Sequence, residues 1–110
     1  MVKKTFARNV QPPPGSKGLT HITEKNIFNL LSSNLKIHYL DIIDETNRHQ
    51  NHKKDTPGGH YKIILISNDF IDLDLISRHK QIYEILNTMM KTDIHAISMK
   101  LMTVDEFKSS

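Results

Sequence analysis

Histidine is the residue type in this sequence with the clearest chemical potential. The chain contains seven histidines and no cysteine. The histidines are His21, His38, His49, His52, His60, His79 and His95. Imidazole is a common ligand for borderline metal ions, and at its unperturbed pKa it titrates near neutral pH. Without cysteine, the chain cannot form disulfides, a thiolate nucleophile or an iron–sulfur cluster held by its own sulfurs. Any metal must be bound through nitrogen or oxygen, or with ligands from a partner.

Five of these histidines also have a purely structural interpretation. His49 and His52 lie in a polar segment, where solvated side chains explain them as well as metal binding does. His60 starts a predicted strand and fits an exposed strand position. His79 lies on an apolar helical face, which favours a buried, hydrogen-bonded histidine over a ligand. His95 alternates with apolar residues of another predicted strand and fits a core position equally well, so composition alone does not choose among them.

Signatures of catalysis are missing from the sequence. The chain has no G-x-S-x-G turn, no P-loop and no G-x-G-x-x-G motif. Asp44 with Glu45, and Asp72 with Asp74, fit a strand end and a helix start better than general acid–base catalysis. Nothing in the sequence therefore favours an enzyme.

The positive charge of the chain is concentrated at its N-terminus. Residues 1–20 contain four basic and no acidic residues, whereas residues 21–110 contain 11 basic and 12 acidic residues. Three consecutive prolines and a glycine-rich run at residues 15–18 cannot continue a helix and end this basic segment. We predict a flexible basic arm over residues 1–20 and one domain over residues 21–110, because 110 residues suit a single domain.

The first half of the predicted domain contains a helix and two strands. Thr23 is expected to cap a short amphipathic helix that ends near Asn34. Residues 35–43 and 61–66 are rich in β-branched and aromatic types, which predicts strands. The polar segment between the strands is too long for a tight hairpin turn, so we predict a mobile loop with a functional role.

The second half contains a long helix, a strand and a short helix. The helix is predicted over residues 73–90, with a kink or a short preceding turn near Asp72 to Asp74. Its predicted buried face consists of Leu75, Ile76, His79, Ile82, Tyr83, Leu86, Met89 and Met90. Residues 94–102 predict a strand, and Thr103 with Glu106 has the capping-box spacing of a final helix.

This order predicts an α+β domain, α-β-β-α-β-α, with a three-stranded mixed sheet covered by helices. The first two strands should be antiparallel, and the third should run parallel to a neighbour through a crossover helix. The arrangement is KH-like, with class II topology. A KH domain clamps nucleic acid with a GxxG loop between two helices. The match at Gly15 to Gly18 follows prolines in the arm, so we take it as accidental and expect no such clamp.

Four segments resemble the BolA family in order and spacing, over about the last 80 residues. The pair Arg78 and His79, with Tyr83 four residues on, and the later pair His95 and Ala96 are specific to that family. The segments are DETNRH at 44–49, HYKIILIS at 60–67 followed by Phe70, ISRHKQIYEIL at 76–86 and IHAISMKLMTVDEF at 94–107.

The resemblance implies an adaptor rather than an enzyme. By this resemblance, the chain would be an adaptor that pairs with CGFS-type monothiol glutaredoxins in iron–sulfur assembly or trafficking. A 2Fe-2S cluster would be shared with the glutaredoxin and its glutathione, and the isolated chain would hold it poorly. His49 and His95 match the family's ligands, and His79 is expected to be structural or to orient the site through a hydrogen bond. We expect a monomer when free, a heterodimer with its partner, no membrane association, and a mitochondrial or cytoplasmic location.

Two residues depart from the usual family pattern. Asp72 replaces a glycine, so the turn there must form without glycine's freedom at positive φ. Phe107 replaces a tryptophan in the last helix, which keeps an apolar anchor but loses the indole donor.

Nucleic-acid binding is the alternative function. Some bacterial members of the family bind DNA as regulators, and the resemblance implies a helix-turn-helix around residues 70–90. Its candidate nucleic-acid contacts are Arg78, Lys80 and Gln81, whose donors suit base edges. Acidic neighbours offset their charge, so we expect weak DNA binding at most. A third alternative is a scaffold that docks a glutaredoxin without any metal.

Overall fold

The computed structural model describes residues 22–46 and 58–110. Two three-residue 3-10 turns, Asn68–Phe70 and Met89–Lys91, lie on either side of the central helix. The described helices are α1 (Ile22–Asn34), α2 (Leu75–Ile85) and α3 (Val104–Ser109), and the strands are β1 (Tyr39–Asp44), β2 (Gly59–Ile66) and β3 (Ile94–Met102). The predicted α+β order is confirmed, and the bounds of β3 are those that the sequence predicts.

The central strand of the sheet is β2. It pairs antiparallel with β1, where Tyr39 lies opposite Ile66, and parallel with β3, where Ile66 lies beside Met102. Parallel neighbours need a long crossover connection, and α2 lies within that connection. The predicted mixed sheet is therefore confirmed.

One face of the sheet forms the core together with the helices. Tyr61, Ile63 and Leu65 of β2 are buried and alternate with half-buried residues. Successive side chains of a strand point to opposite faces, so His60 lies on the face away from this core. The other large members of the core include Ile27, Leu31, Leu40, Ile42, Phe70, Ile82, Leu86, Ile97 and Leu101. Burying each large aliphatic side chain contributes about 1.5–3 kcal/mol, which fixes the face that each strand turns inward.

Two predicted boundaries are wrong at the N-terminal end of the domain. Thr23 lies inside α1, which begins one residue before it, so it is not the cap of the helix. The N–H of Leu35 donates to the carbonyl of Leu31 at 2.9 Å, a helical bond. The chain at residue 35 therefore still follows α1, and β1 begins only at Tyr39.

The helix α2 is shorter than predicted, and only part of the predicted face is buried: Ile82, Leu86 and Met89 are buried as expected. Arg78 and Ile82 are its buried residues. Leu75, Ile76 and Tyr83, which the apolar spacing predicts to be buried, are 61%, 72% and 41% exposed. For these three residues the prediction was wrong, because a hydrophobic pattern gives no sign that Arg78 lies on the inner face of the helix.

The turn before α2 contains a non-glycine residue with positive φ. Asp72 has φ 70, the left-handed region that glycine usually occupies, so the expected departure is confirmed. Asp74 caps α2, and its carboxylate accepts a hydrogen bond from the Ser77 N–H at 2.8 Å. Hydrogen bonds from Ser77 lower the pKa of Asp74. The acidic residues thus act at a helix start, as predicted.

Arg78 ties α2 to β3 and α3. Its guanidinium donates to the carbonyl oxygens of Leu73 at 2.9 Å and Leu101 at 3.2 Å. It also donates to both carboxylate oxygens of Glu106, at 2.7 and 2.9 Å. The guanidinium carbon lies 5.6 Å from the ring centre of Phe70. A buried arginine is tolerated here because its donors meet acceptors inside the domain.

The short helix α3 is attached by polar contacts, since it has no buried residue of its own. Thr103 and Glu106 form the predicted capping box, with the Glu106 carboxylate accepting from the Thr103 N–H at 2.9 Å and the Thr103 hydroxyl accepting from the Glu106 N–H at 3.1 Å. The hydrogen bond from Arg78, followed by that from the Thr103 N–H, lowers the pKa of Glu106 to about 2.

None of the helices in the described part of the chain has the length and apolar character needed to span a membrane.

Replacing Glu106 with glutamine should lower the free energy of unfolding at neutral pH, because it removes the charge that pairs with Arg78. The pKa of Glu106 is depressed in the folded protein, so this contribution is complete above the ordinary glutamate pKa and is lost as the pH falls through about 2. Urea unfolding should therefore show a difference between wild type and Glu106→Gln that is largest at neutral pH and vanishes near pH 2. The control is Glu84→Gln on the exposed side of α2, and a Glu106→Gln difference that does not vary with pH would contradict the assignment.

Candidate metal-binding site

His95 lies on an irregularity of β3. Gly59 of β2 pairs with Ile94, but the next residue, His60, pairs with Ala96. His95 is therefore the extra residue of a β-bulge. Ile94 is 1% exposed and belongs to the core, whereas His95 is exposed. The alternative that His95 is a core residue was wrong, because the bulge breaks the alternation on which it depends.

Gly58 makes close approach to the bulge possible. It has φ 81, and a Cβ at this position would lie 2.8 Å from the backbone nitrogen of His95 and 3.0 Å from the carbonyl oxygen of Thr92. A side chain would force one of these backbone segments to move. The sequence shows the glycines at 58 and 59 only as breakers before a strand, so their role beside His95 was missed.

His60 lies beside His95 across the parallel strands. The two imidazole ring centres are 5.1 Å apart, and the ring planes are tilted by 41°. The backbone around His60 is fixed by hydrogen bonds: its N–H donates to the Thr46 hydroxyl at 3.1 Å, and its carbonyl accepts from the Glu45 N–H at 2.8 Å. The structure thus brings together two histidines that lie 35 positions apart in the sequence.

Of the predicted ligand pair, the structure describes His95 alone. His49 lies outside the described residues, as does His52, so the pairing of His49 with His95 stays a prediction. Within residues 22–46 and 58–110, no group of three or more histidine, cysteine, aspartate or glutamate side chains is arranged to hold a metal ion. At the His60–His95 pair the described residues thus supply two possible ligands, and any further position on an ion would be taken by water or by a group outside the described residues.

His79 lies far from this pair. Its Nδ1 is 2.8 Å from the carbonyl oxygen of Leu75, within its own helix, and the side chain is half-buried. It lines a groove with residues 99–102 of β3. Met99 follows His95 by four residues, about 13 Å of extended strand. The structural role expected for His79 agrees with this contact, but the placement does not provide the hydrogen bond that would orient His95.

The three candidate nucleic-acid contacts differ in how accessible their side chains are. The donors of Arg78 bind acceptors inside the domain, so this geometry does not offer them to a base edge. Gln81 is half-buried, and its side-chain oxygen is buried without a hydrogen-bond partner among the described groups. Lys80 is exposed. The segment implied to be a helix-turn-helix consists of the 3-10 turn Asn68–Phe70, a tight turn and α2.

Comparison with known proteins decides the family. The family model described as BolA-like protein matches residues 31–106, which is more than half of the chain. The chain belongs to the BolA family. An uncharacterised protein of Buchnera aphidicola is 33% identical over 87 residues, which are 79% of this chain and 82% of that protein. A Haemophilus influenzae relative, named as the DNA-binding transcriptional regulator BolA, is 33% identical over 66% of this chain and 68% of its own length.

The fold agrees with a solved structure of the same family. The BolA domain of SufE1 from Arabidopsis thaliana is 27% identical, with a TM-score of 0.70 over 78% of this chain and 96% of that chain. The resemblance inferred from the residue pattern is therefore confirmed, and the bulged β3 described above belongs to a BolA-type domain.

Replacing Gly58 with alanine should separate the two imidazoles, because the new Cβ meets the backbone of His95 and the positive φ costs about 1–2 kcal/mol. Nuclear Overhauser contacts between the rings of His60 and His95 should be present in the wild type and weakened or lost in Gly58→Ala. Ser98→Ala, an exposed change on the same strand, should leave them intact. Unchanged ring contacts in a folded Gly58→Ala protein would show that Gly58 does not position His95.

Proposed function

We propose that the protein is a non-enzymatic adaptor in iron–sulfur assembly or trafficking, which pairs with a CGFS-type monothiol glutaredoxin and shares a 2Fe-2S cluster with it. The observation that carries the proposal is the β3 bulge, which exposes the imidazole of His95 on an otherwise regular strand. A ligand on a paired strand keeps its position when the partner docks, which limits the entropy lost on binding.

The donor set fits a cluster of this kind. Rieske centres show that two imidazoles can replace two thiolates on one iron. This chain offers imidazoles and no thiol. Sulfur ligands for the other iron would have to come from the glutaredoxin and its glutathione, so a cluster bridging the two proteins suits the composition better than one held by this chain alone.

His49 is the second ligand that the family resemblance supplies. It follows Thr46 by three residues, and a fully extended chain of three residues spans at most about 11 Å. The Thr46 hydroxyl is bonded to the backbone N–H of His60, at the same end of the sheet as His95. The covalent chain therefore permits His49 to reach the neighbourhood of His95.

DNA binding is the second candidate function. The observation in its favour is the name of the Haemophilus influenzae relative, a DNA-binding transcriptional regulator. Against it, the described residues contain eight basic and eleven acidic side chains, and the Arg78 guanidinium is used inside the domain. Since phosphate contacts dominate affinity for DNA, a surface of this charge favours weak binding by the described part of the domain.

Anaerobic reconstitution with a CGFS-type glutaredoxin, glutathione, iron and sulfide should give a coloured complex with one copy of each protein, seen by absorbance and native mass spectrometry. His95→Ala should lose most of the visible absorbance, because one iron loses a protein ligand. His79→Ala, whose ring bonds to its own helix, should reconstitute like the wild type. A His95→Ala complex with undiminished absorbance would overturn the proposal.

A fluorescence anisotropy titration of the full chain with duplex DNA separates the second candidate from the first. We expect binding weaker than about 10 μM at physiological salt, in the non-specific range, and no sequence preference. Lys80→Ala should leave the affinity within about twofold. Sequence-specific binding near the nanomolar range, weakened by Lys80→Ala, would instead support a regulator that reads DNA with α2.

A further inference from the structure

We propose that His60 and His95 form a two-imidazole binding site for a borderline divalent metal ion such as Ni²⁺, Cu²⁺ or Zn²⁺, in the chain alone. The site extends the proposed function by adding His60, which the family resemblance does not assign. Binding of an ion at this site requires neither a glutaredoxin nor a cluster, so each proposal can be tested without the other.

The spacing of the rings matches what one metal ion needs. A metal–nitrogen bond of about 2.0–2.1 Å, with the ring centre about 1.1 Å beyond the nitrogen, places the centres of two imidazoles on a tetrahedral ion about 5 Å apart. The observed separation of the His60 and His95 ring centres is 5.1 Å. Rotation about the Cβ–Cγ bond of each histidine changes the direction of its ring nitrogens and leaves the ring centre nearly in place.

The backbone under both rings is held from several sides. His60 belongs to the central strand, and its N–H is bonded to the Thr46 hydroxyl. The N–H of the preceding residue, Gly59, donates to the carbonyl of Asp93 at 3.0 Å, next to the bulge. A Cβ on Gly58 would lie 2.8 Å from the backbone nitrogen of His95, so the two backbone segments run close together. Because these contacts exist before any ion binds, the protein loses little conformational freedom on binding.

The exposure and chemistry of the pair indicate the class of ion. His95 is exposed and His60 is half-buried, so an ion can reach them from solvent. Imidazole nitrogen suits nickel, copper and zinc better than magnesium or calcium, which prefer oxygen. With two protein ligands, the remaining positions on the ion stay open to water or to a ligand from another molecule, which suits exchange of the ion rather than permanent storage.

The test is a titration of the full chain with Ni²⁺, without glutaredoxin, followed by calorimetry and by paramagnetic broadening of amide signals. In the wild type, broadening should centre on residues 58–60 and 94–97. His60→Ala and His95→Ala should each weaken binding at least about tenfold, since loss even of an outer-shell partner costs that much. His38→Ala and His79→Ala, which change exposed or half-buried histidines elsewhere, should leave the affinity within about twofold.

Each other outcome overturns the inference. Wild-type binding that is absent at millimolar Ni²⁺, or that survives His60→Ala unchanged, excludes the pair. An equal loss in His38→Ala or His79→Ala would mean that the ion is distributed over surface histidines. A loss in His49→Ala without a loss in His60→Ala would assign the ion to His49 and His95. His60→Gln, which keeps the size and polarity of the side chain, must behave like His60→Ala, and amide spectra of each variant verify its fold.

Discussion

The extra residue that β3 carries opposite β2 is the constraint on which the candidate site depends. If β2 and β3 paired without this bulge, His95 would lie on the same face of the sheet as Ile97 and Leu101 and point into the core. The bulge gives that inward position to Ile94 and leaves the histidine exposed beside His60. Gly58, at positive φ, allows the neighbouring backbone to approach closely enough for this arrangement. The bulge between the parallel strands β2 and β3 thus places the His95 side chain at the surface, where a metal ion can reach it.

A second, independent set of contacts holds the opposite end of β3. Arg78 joins the carbonyl oxygen of Leu101 to the carboxylate of Glu106 and so attaches a helix that buries nothing of its own. This use of the arginine removes its charge from the surface. Arg78 therefore serves the architecture at one end of the sheet, where its neighbour His79 also lies, while the pair of His60 and His95 lies at the other end.

Much of the fold could be predicted because its signals are local. The bounds of β3 and the capping box at Thr103 follow from residue types over a few positions, whereas the left-handed turn at Asp72 was expected from the family resemblance. The burial of Arg78 on α2 could not be predicted, because its carboxylate partner Glu106 lies 28 residues later. The meeting of His60 with His95 could not be predicted either, since it depends on the register of two strands and on one bulge, which no short-range pattern encodes.

Direct detection of nitrogen on iron tests the central claim. Pulsed electron paramagnetic resonance of the reduced cluster, in a complex of glutaredoxin with this protein labelled with ¹⁵N at histidine, reports whether imidazole nitrogen binds iron. Strong ¹⁵N couplings are expected in the wild-type complex, and at least one of them should be absent from the residual cluster of His95→Ala. A wild-type cluster without histidine nitrogen coupling would contradict the account.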